Sequence, residues 1–197
     1  MSFRKEIKLK IDKSKINNFK NFIFEKNFTK QYPDRLIESI YFDNINYEMF
    51  KDSLEGTVPR KKIRLRSYNK KKKFFLEEKI SSLENRFKKS IVLNNFQELL
   101  KKGILDKSYG ICKMILLVSY TRRYYKLGPF RVTIDKNIEF TKFNPFSPKF
   151  NKYRDSNIAV EVKCPVQISN EKIFEMFPFE QIRFSKYSEA IEKLKII

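Results

Sequence analysis

The stretch "KKIRLRSYN", from Lys61 to Asn69, is the one on which the reading of this chain turns. In an extended backbone successive side chains point to opposite faces. Lys62, Arg64 and Arg66 therefore share one face, and Ile63 and Leu65 share the other. A wet strand face ordinarily mixes its charges, whereas this one is wholly cationic. Lys70 to Lys73 follow, and then "FFLEEKI", Phe74 to Ile80, alternates again. Two alternating runs joined by a short polar link predict a hairpin with the lysine run at its tip. A solvated loop accounts for that run; recruitment of a polyanion is the sharper reading.

The same alternation recurs along the chain. "RKEIKLKI" (Arg4 to Ile11), "ESIYFD" (Glu38 to Asp43), "LLVSYTRRYYKL" (Leu116 to Leu127), "FRVTIDKNI" (Phe130 to Ile138) and "IAVEVKC" (Ile158 to Cys164) read as strands. Gly128-Pro129 reads as a tight turn. A further, weaker strand is expected around Leu83 to Val92. Helices are fewer. Ser14 is placed to cap one that runs to about Lys26, with Ile16, Phe19, Phe22 and Ile23 on one side. Short helices are expected over Ile45 to Lys51, over Phe96 to Lys102 before Gly103, over Glu171 to Phe177, and over Ser185 to Lys195. Their basic, amphipathic character suits either a membrane surface or packing on the sheet, and packing is the commoner use.

Sorting the strands by parity separates ions from hydrocarbon. One parity carries Glu6, Lys8, Lys10, Lys62, Arg64, Arg66, Glu77, Lys79, Tyr120, Arg122, Arg131, Thr133, Asp135, Glu161 and Lys163. The other carries Ile7, Leu9, Ile63, Leu65, Leu76, Ile80, Val132, Ile134, Val160 and Val162. An open sheet with helices on its apolar face fits this pattern. So does a closed barrel with the charges inside. A lumen lined by charges is costly unless they are paired, solvated or met by a ligand. Cations are in excess, so that ligand would be an anion. Forked arginine donors and compact lysine charges match a polyphosphate chain. Glu6, Glu77, Asp135 and Glu161 would hold a divalent metal or orient the cations, and hard carboxylates beside phosphate favour Mg²⁺ or Mn²⁺.

Bulk properties narrow the field. The 197 residues suit one domain, 1–197, and 41% hydrophobic content with 20 Phe supplies a core. The net charge of +20 points to a polyanionic partner without naming it. With no His, the chain carries no Ser-His-Asp triad and no His-based zinc site. Cys112 and Cys164 make no CxxC and read as apolar residues of a reducing compartment. No apolar run of about 18 residues predicts a transmembrane helix, and "MSFRKEIKLK" lacks the apolar core of a signal peptide. A cytoplasmic protein is the expectation. The four glycines form no GxxxxGK[ST] loop, so side chains would have to cradle any phosphate. RNA-reading patterns are absent, so no specific nucleic-acid partner is expected, and charge alone would give only salt-sensitive binding.

In order, "FRKEIKLKI", "SIYFDN", "SLEGTVPRKKIRLRSYN", "FFLEEKI", "SYTRRYY", "FRVTIDKNI", "IAVEVKC" and "RFSKYSEAI" resemble the VTC domain. This is the polyphosphate-polymerase domain of the vacuolar transporter chaperone family, within the triphosphate tunnel metalloenzymes, here in a stand-alone form. The motifs span nearly the whole chain. The resemblance implies an α+β fold: a closed antiparallel eight-stranded β-barrel, the triphosphate tunnel, with helices packed outside. It implies that Lys8, Arg64, Arg66, Lys79, Arg122 and Lys186 act on phosphate. Glu161 matches the metal-binding glutamate, with Glu6 and Glu77 as further metal candidates, and Tyr120 and Ser185 match binding elements. Lys62, Arg131 and Lys163 share the same faces. Arg183 stands where many members carry Lys, which keeps the charge and changes its reach. The chain carries neither the phosphate-sensing module nor the membrane helices of the eukaryotic assemblies. ATP and polyphosphate are the implied partners, Mn²⁺ or Mg²⁺ the implied cofactor, and polyphosphate synthesis the implied reaction. Other tunnel enzymes cleave triphosphates, so an inorganic or organic triphosphatase is the alternative. A non-catalytic polyphosphate- or nucleic-acid-binding module is a third reading.

Overall fold

A computed structural model describes residues 4–83, 86–143 and 151–197, the side chains of Arg4 and Arg86 aside. Phe3, which opens the first matching motif, and residues 84–85, within the expected strand from Leu83 to Val92, lie outside the described residues. The fold is α+β, an antiparallel sheet with few helices. Its strands are β1 (Arg4–Ile11), β2 (Thr29–Asp43), β3 (Arg60–Tyr68), β4 (Phe74–Ser81), β5 (Arg86–Leu93), β6 (Ile104–Asp106), β7 (Gly110–Leu127), β8 (Phe130–Lys142), β9 (Lys152–Asp155) and β10 (Ile158–Pro165). They are ordered β1-β10-β8-β7-β2-β3-β4-β5, with β6 on β7 and β9 on β8. The helices are α1 (Ile16–Glu25), α2 (Glu48–Glu55), α3 (Gln97–Lys102), α4 (Asn170–Met176) and α5 (Lys186–Lys193).

Two compact units share these strands. The first comprises Met1–Arg35, Tyr120–Ile138 and Asp155–Phe184; the second comprises Leu36–Ser119, Glu139–Arg154 and Ser185–Ile197. In the first unit the expected parity holds rung by rung. Ile7 pairs with Val162 and Val162 with Val132; Leu9 pairs with Val160 and Val160 with Ile134. These residues form a core covered by Phe19 of α1, Ile173 of α4 and Phe177 just beyond α4. In the second unit Ile63 and Leu65 pack with Phe42, Met49 and Cys112, against which Phe96 and Leu99 are laid. Burying each such aliphatic side chain contributes about 2 kcal/mol, so the charged parity is held in place by its hydrocarbon reverse.

Several local expectations shift for identifiable reasons. Ser14 lies inside a short 3₁₀ turn, Lys13–Lys15, so α1 begins at Ile16 without a side-chain cap. The helix expected from Ile45 begins at Glu48 instead. The Asp43 carboxylate accepts the backbone N–H groups of Met49 and Phe50, each at 3.0 Å, and this long-range cap sets the start. Gly56, at φ 82°, ends α2 in the left-handed conformation that glycine adopts without strain. β2 reaches back to Thr29 through a polar, exposed run containing Pro33, which carries no apolar alternation to read. By contrast, Ser185 does cap the last helix, accepting the N–H of Ser188 at 3.4 Å.

Candidate functional site

Each unit presents its own charged rungs. In the first unit three strands lie side by side. Glu6 is opposite Lys163, which is opposite Arg131; Lys8 is opposite Glu161, which is opposite Thr133; Lys10 is opposite Ala159, which is opposite Asp135. Opposed residues share a face. Lys163 Nζ lies 2.9 Å from Glu161 Oε1 and 3.5 Å from Glu6 Oε2, so one ammonium serves two carboxylates. Lys8 Nζ is 4.0 Å from Glu6 Oε1 and donates to the Phe184 carbonyl at 2.8 Å. Arg122 grips Asp135 with two bonds, Nε to Oδ1 at 2.6 Å and Nη2 to Oδ2 at 2.8 Å. Burial opposes the Arg122 charge, but Asp135 outweighs it and holds the guanidinium cationic. Its cation also rests on the Tyr120 ring, 5.3 Å from the centroid, and Tyr120 is buried. Arg131 and Arg183 are exposed.

In the second unit the rungs run from β2 to β5. Tyr41 is opposite Arg64, Arg64 opposite Glu77, and Glu77 opposite Ser90; Ser39 is opposite Arg66; Lys62 is opposite Lys79, and Lys79 opposite Lys88. Glu77 is buried among cations. Arg64 Nε donates to its Oε2 at 2.7 Å, Lys88 Nζ to its Oε1 at 2.6 Å, and Arg66 Nη1 lies 3.8 Å from Oε2. Burial pushes Glu77 up, yet Arg64, Arg66 and Lys88 together hold it down to about 2. Arg66, itself 6% exposed, also donates to Ser39 Oγ at 3.0 Å. Lys62 reaches Ser185 Oγ at 2.8 Å and lies over the Tyr187 ring. Lys186 opens α5 beside it, and Lys79 is exposed.

Residues that a search for charges and motifs passed over also belong here. Tyr41 stacks on Tyr187 with centroids 5.1 Å apart, and its hydroxyl accepts from Arg64 at 3.4 Å. Burial raises the Tyr41 phenol, but Arg64, Arg66 and Lys186 bring it below its ordinary value. Tyr187, read as one residue of an apolar stripe, donates its hydroxyl to Asp43 and so ties α5 to the cap of α2. Lys88 lies in the weakly patterned strand, where its bond to Glu77, one rung from its place opposite Lys79, gives it meaning.

The implied metal can be tested against the donor atoms. Glu6 and Glu161 already share a cation, the Lys163 ammonium. The hydroxyl of Thr133, opposite Glu161, is buried without a hydrogen-bond partner among the described residues. Two hard carboxylates and an unsatisfied oxygen suit Mg²⁺ or Mn²⁺, which take one or two carboxylates and fill the rest of the shell with water and phosphate oxygen. No group of three or more His, Cys, Asp or Glu among the described residues forms an all-protein cage.

The family model for the VTC domain matches residues 3–111 and 106–195. The chain belongs to the VTC domain family. Among solved structures it is similar to a candidate adenylate cyclase from Vibrio parahaemolyticus, at 12% identity and TM-score 0.54 over 95% of this chain and 97% of that one. A candidate adenylate cyclase from Bacillus halodurans is similar at 12% identity and TM-score 0.57, covering 94% of each chain. A candidate adenylyl cyclase from Hippeastrum, described as having a dominant triphosphatase activity, is similar at 12% identity and TM-score 0.58 over 97% of this chain and 96% of that one. At that identity the likeness is one of fold. No curated protein sequence is a significant match. No helix among the described residues is long and apolar enough to cross a membrane.

Proposed function

We propose that this chain catalyses metal-dependent phosphoryl transfer on a nucleoside triphosphate or polyphosphate, and that its reaction is polyphosphate synthesis from ATP. The observation that carries this reading is the cationic rung set around a single buried carboxylate: Lys62, Arg64, Arg66, Lys79 and Lys88 about Glu77. A row of forked arginine donors and compact lysine charges at that spacing matches the repeated oxygens of a polyphosphate chain. Arg64, Arg66, Lys79, Lys186, Lys8 and Arg122 then hold phosphate oxygens, while Lys62, Ser185, Tyr120, Arg131, Lys163 and Arg183 bind or orient the chain. Glu77 acts by fixing the arginine forks, since its own oxygens are occupied. Glu161 and Glu6 are the residues that would hold Mn²⁺ or Mg²⁺, which supplies charge neutralisation to the transferred group. A closed eight-stranded barrel around the substrate is part of the same proposal.

The chain's own chemistry is positioning and electrostatics. Aligned cations stabilise charge as the bond between the γ-phosphorus and the oxygen of the departing ADP lengthens, while the terminal oxygen of a polyphosphate chain attacks the γ-phosphorus in line. Asp135 keeps Arg122 in one orientation, and Ser39 does the same for Arg66. The dominant triphosphatase activity reported for the Hippeastrum protein favours hydrolysis on the same site as the second reading. One assay separates them. Purified protein receives ATP with Mn²⁺ or Mg²⁺, and polymer and free phosphate are both measured. Polymer supports the first reading and phosphate alone the second. Tight metal-independent binding without turnover would make this a binding module. Arg64→Ala is expected to lower turnover on the order of 100-fold; full activity in that variant defeats the assignment.

A further inference from the structure

In the first unit an arginine is held between two tyrosines and makes no ion pair among the described residues. The Arg35 guanidinium lies 5.3 Å from the centroid of the Tyr32 ring and 5.3 Å from that of Tyr124. The two rings meet edge to face, 5.6 Å apart at 87°. Arg35 is half-buried, and among the described residues its donors make no hydrogen bond or ion pair. Its neighbours behave differently. Asp34 takes Arg123 at 2.9 Å and Lys30 at 2.8 Å, so a carboxylate stands one residue away and is spent on other cations. Tyr32 remains 49% exposed.

Position gives this cluster its meaning. Tyr124 is two residues beyond Arg122 on β7, and alternate residues of a strand share a face at a spacing of about 7 Å. Tyr120, Arg122 and Tyr124 therefore form one row, in which Arg122 is a proposed phosphate contact. An exposed tyrosine ring, Tyr32, beside a guanidinium whose donors make no hydrogen bond among the described residues suits a flat, polar heterocycle, which stacks on the ring and accepts from the guanidinium. We propose that Tyr32, Arg35 and Tyr124 form a docking platform for the base of a nucleoside triphosphate. This rests on the reading that Arg122 contacts phosphate. Stacking engages the π-face that every base has, so the platform separates nucleotides from bare polyphosphate and discriminates weakly among bases.

The test is calorimetric titration of the full chain with ATP, GTP and tripolyphosphate, beside Tyr32→Ala, Tyr32→Phe and Arg35→Ala. Tyr32 is exposed, so its truncation leaves the cores alone. The expected result is an ATP and GTP affinity lowered on the order of 10-fold in Tyr32→Ala, restored in Tyr32→Phe, with tripolyphosphate affinity unmoved. Equal losses for ATP and tripolyphosphate, or no loss for either, overturn the platform. So does a wild-type chain that binds tripolyphosphate as tightly as ATP. A chain that binds ATP through Tyr32 yet turns over neither substrate overturns the proposed reaction and leaves the platform standing. An oligoribonucleotide that binds through Tyr32 while ATP does not assigns these rings to RNA and overturns the proposal.

Discussion

The two units are built on one strand pattern and balanced differently. Around β1, β10 and β8, with Arg122 on β7, three acids (Glu6, Glu161 and Asp135) are interleaved with five cations (Lys8, Lys10, Lys163, Arg131 and Arg122). Around β3, β4 and β5, Glu77 stands among Lys62, Arg64, Arg66, Lys79 and Lys88. The first arrangement shares the Lys163 ammonium between two carboxylates; the second shares one buried carboxylate among Arg64, Arg66 and Lys88. Where acid and base are matched, removing either leaves a partner that other groups can absorb. Where one buried carboxylate serves several cations, its removal leaves them facing each other.

Glu77→Ala is the sharpest way to break that contrast. It should cost on the order of 3 kcal/mol in urea unfolding, because it removes the buried carboxylate that the buried Arg66 and the half-buried Arg64 face. Glu161→Ala, at a site whose side chain is 23% exposed, should cost about 1 kcal/mol or less. Equal losses in the two variants would erase the distinction between the units.

Acid titration sharpens the same point. Glu77 is held at about 2 in the folded chain against an ordinary 4.5. A depressed carboxylate stabilises the fold fully above its unfolded value and loses that contribution as the pH falls towards its folded one. Stability should therefore decline from about pH 4.5 to about pH 2, by up to about 3 kcal/mol from this group. Glu77→Gln should flatten that segment of a stability-against-pH curve; an unchanged slope would remove Glu77 as its source.

The smallest effect is expected at Asp34 in the first unit. Hydrogen bonds from Lys30 and Arg123 hold it at about 2 as well, but at the surface, its side chain 29% exposed. Asp34→Asn should cost well under 1 kcal/mol and the loss should shrink further in about 1 M salt, where screening acts within about 3 Å. A salt-independent loss would mean that Asp34 is structural in the way Glu77 is.

Strand parity was legible because it depends only on the two-residue period of an extended chain. Arg64, Arg66, Lys8 and Glu161 could be placed on shared faces before any coordinates, and β1 fell at Arg4–Ile11 as expected. Lys88 was not legible, because its strand alternates weakly and its role depends on its bond to Glu77, one rung from its place opposite Lys79. Tyr41 and Ser39 were passed over because neither carries a charge. The Asp43 cap of α2 joins residues several positions apart through a turn that no periodicity announces. The start of β2 was hidden because Thr29 to Asp34 are polar and include Pro33.

The sequence by itself determined the family, the alternation of its strands and the excess of positive charge on one parity, since these follow from residue identity and local spacing. The tertiary structure alone decided how that charge is shared: Glu77 taken by three cations, Lys163 divided between two acids, Arg35 left between two rings. Pairing of charges depends on distances of a few ångströms between residues remote in the chain, and only the register of neighbouring strands sets those distances.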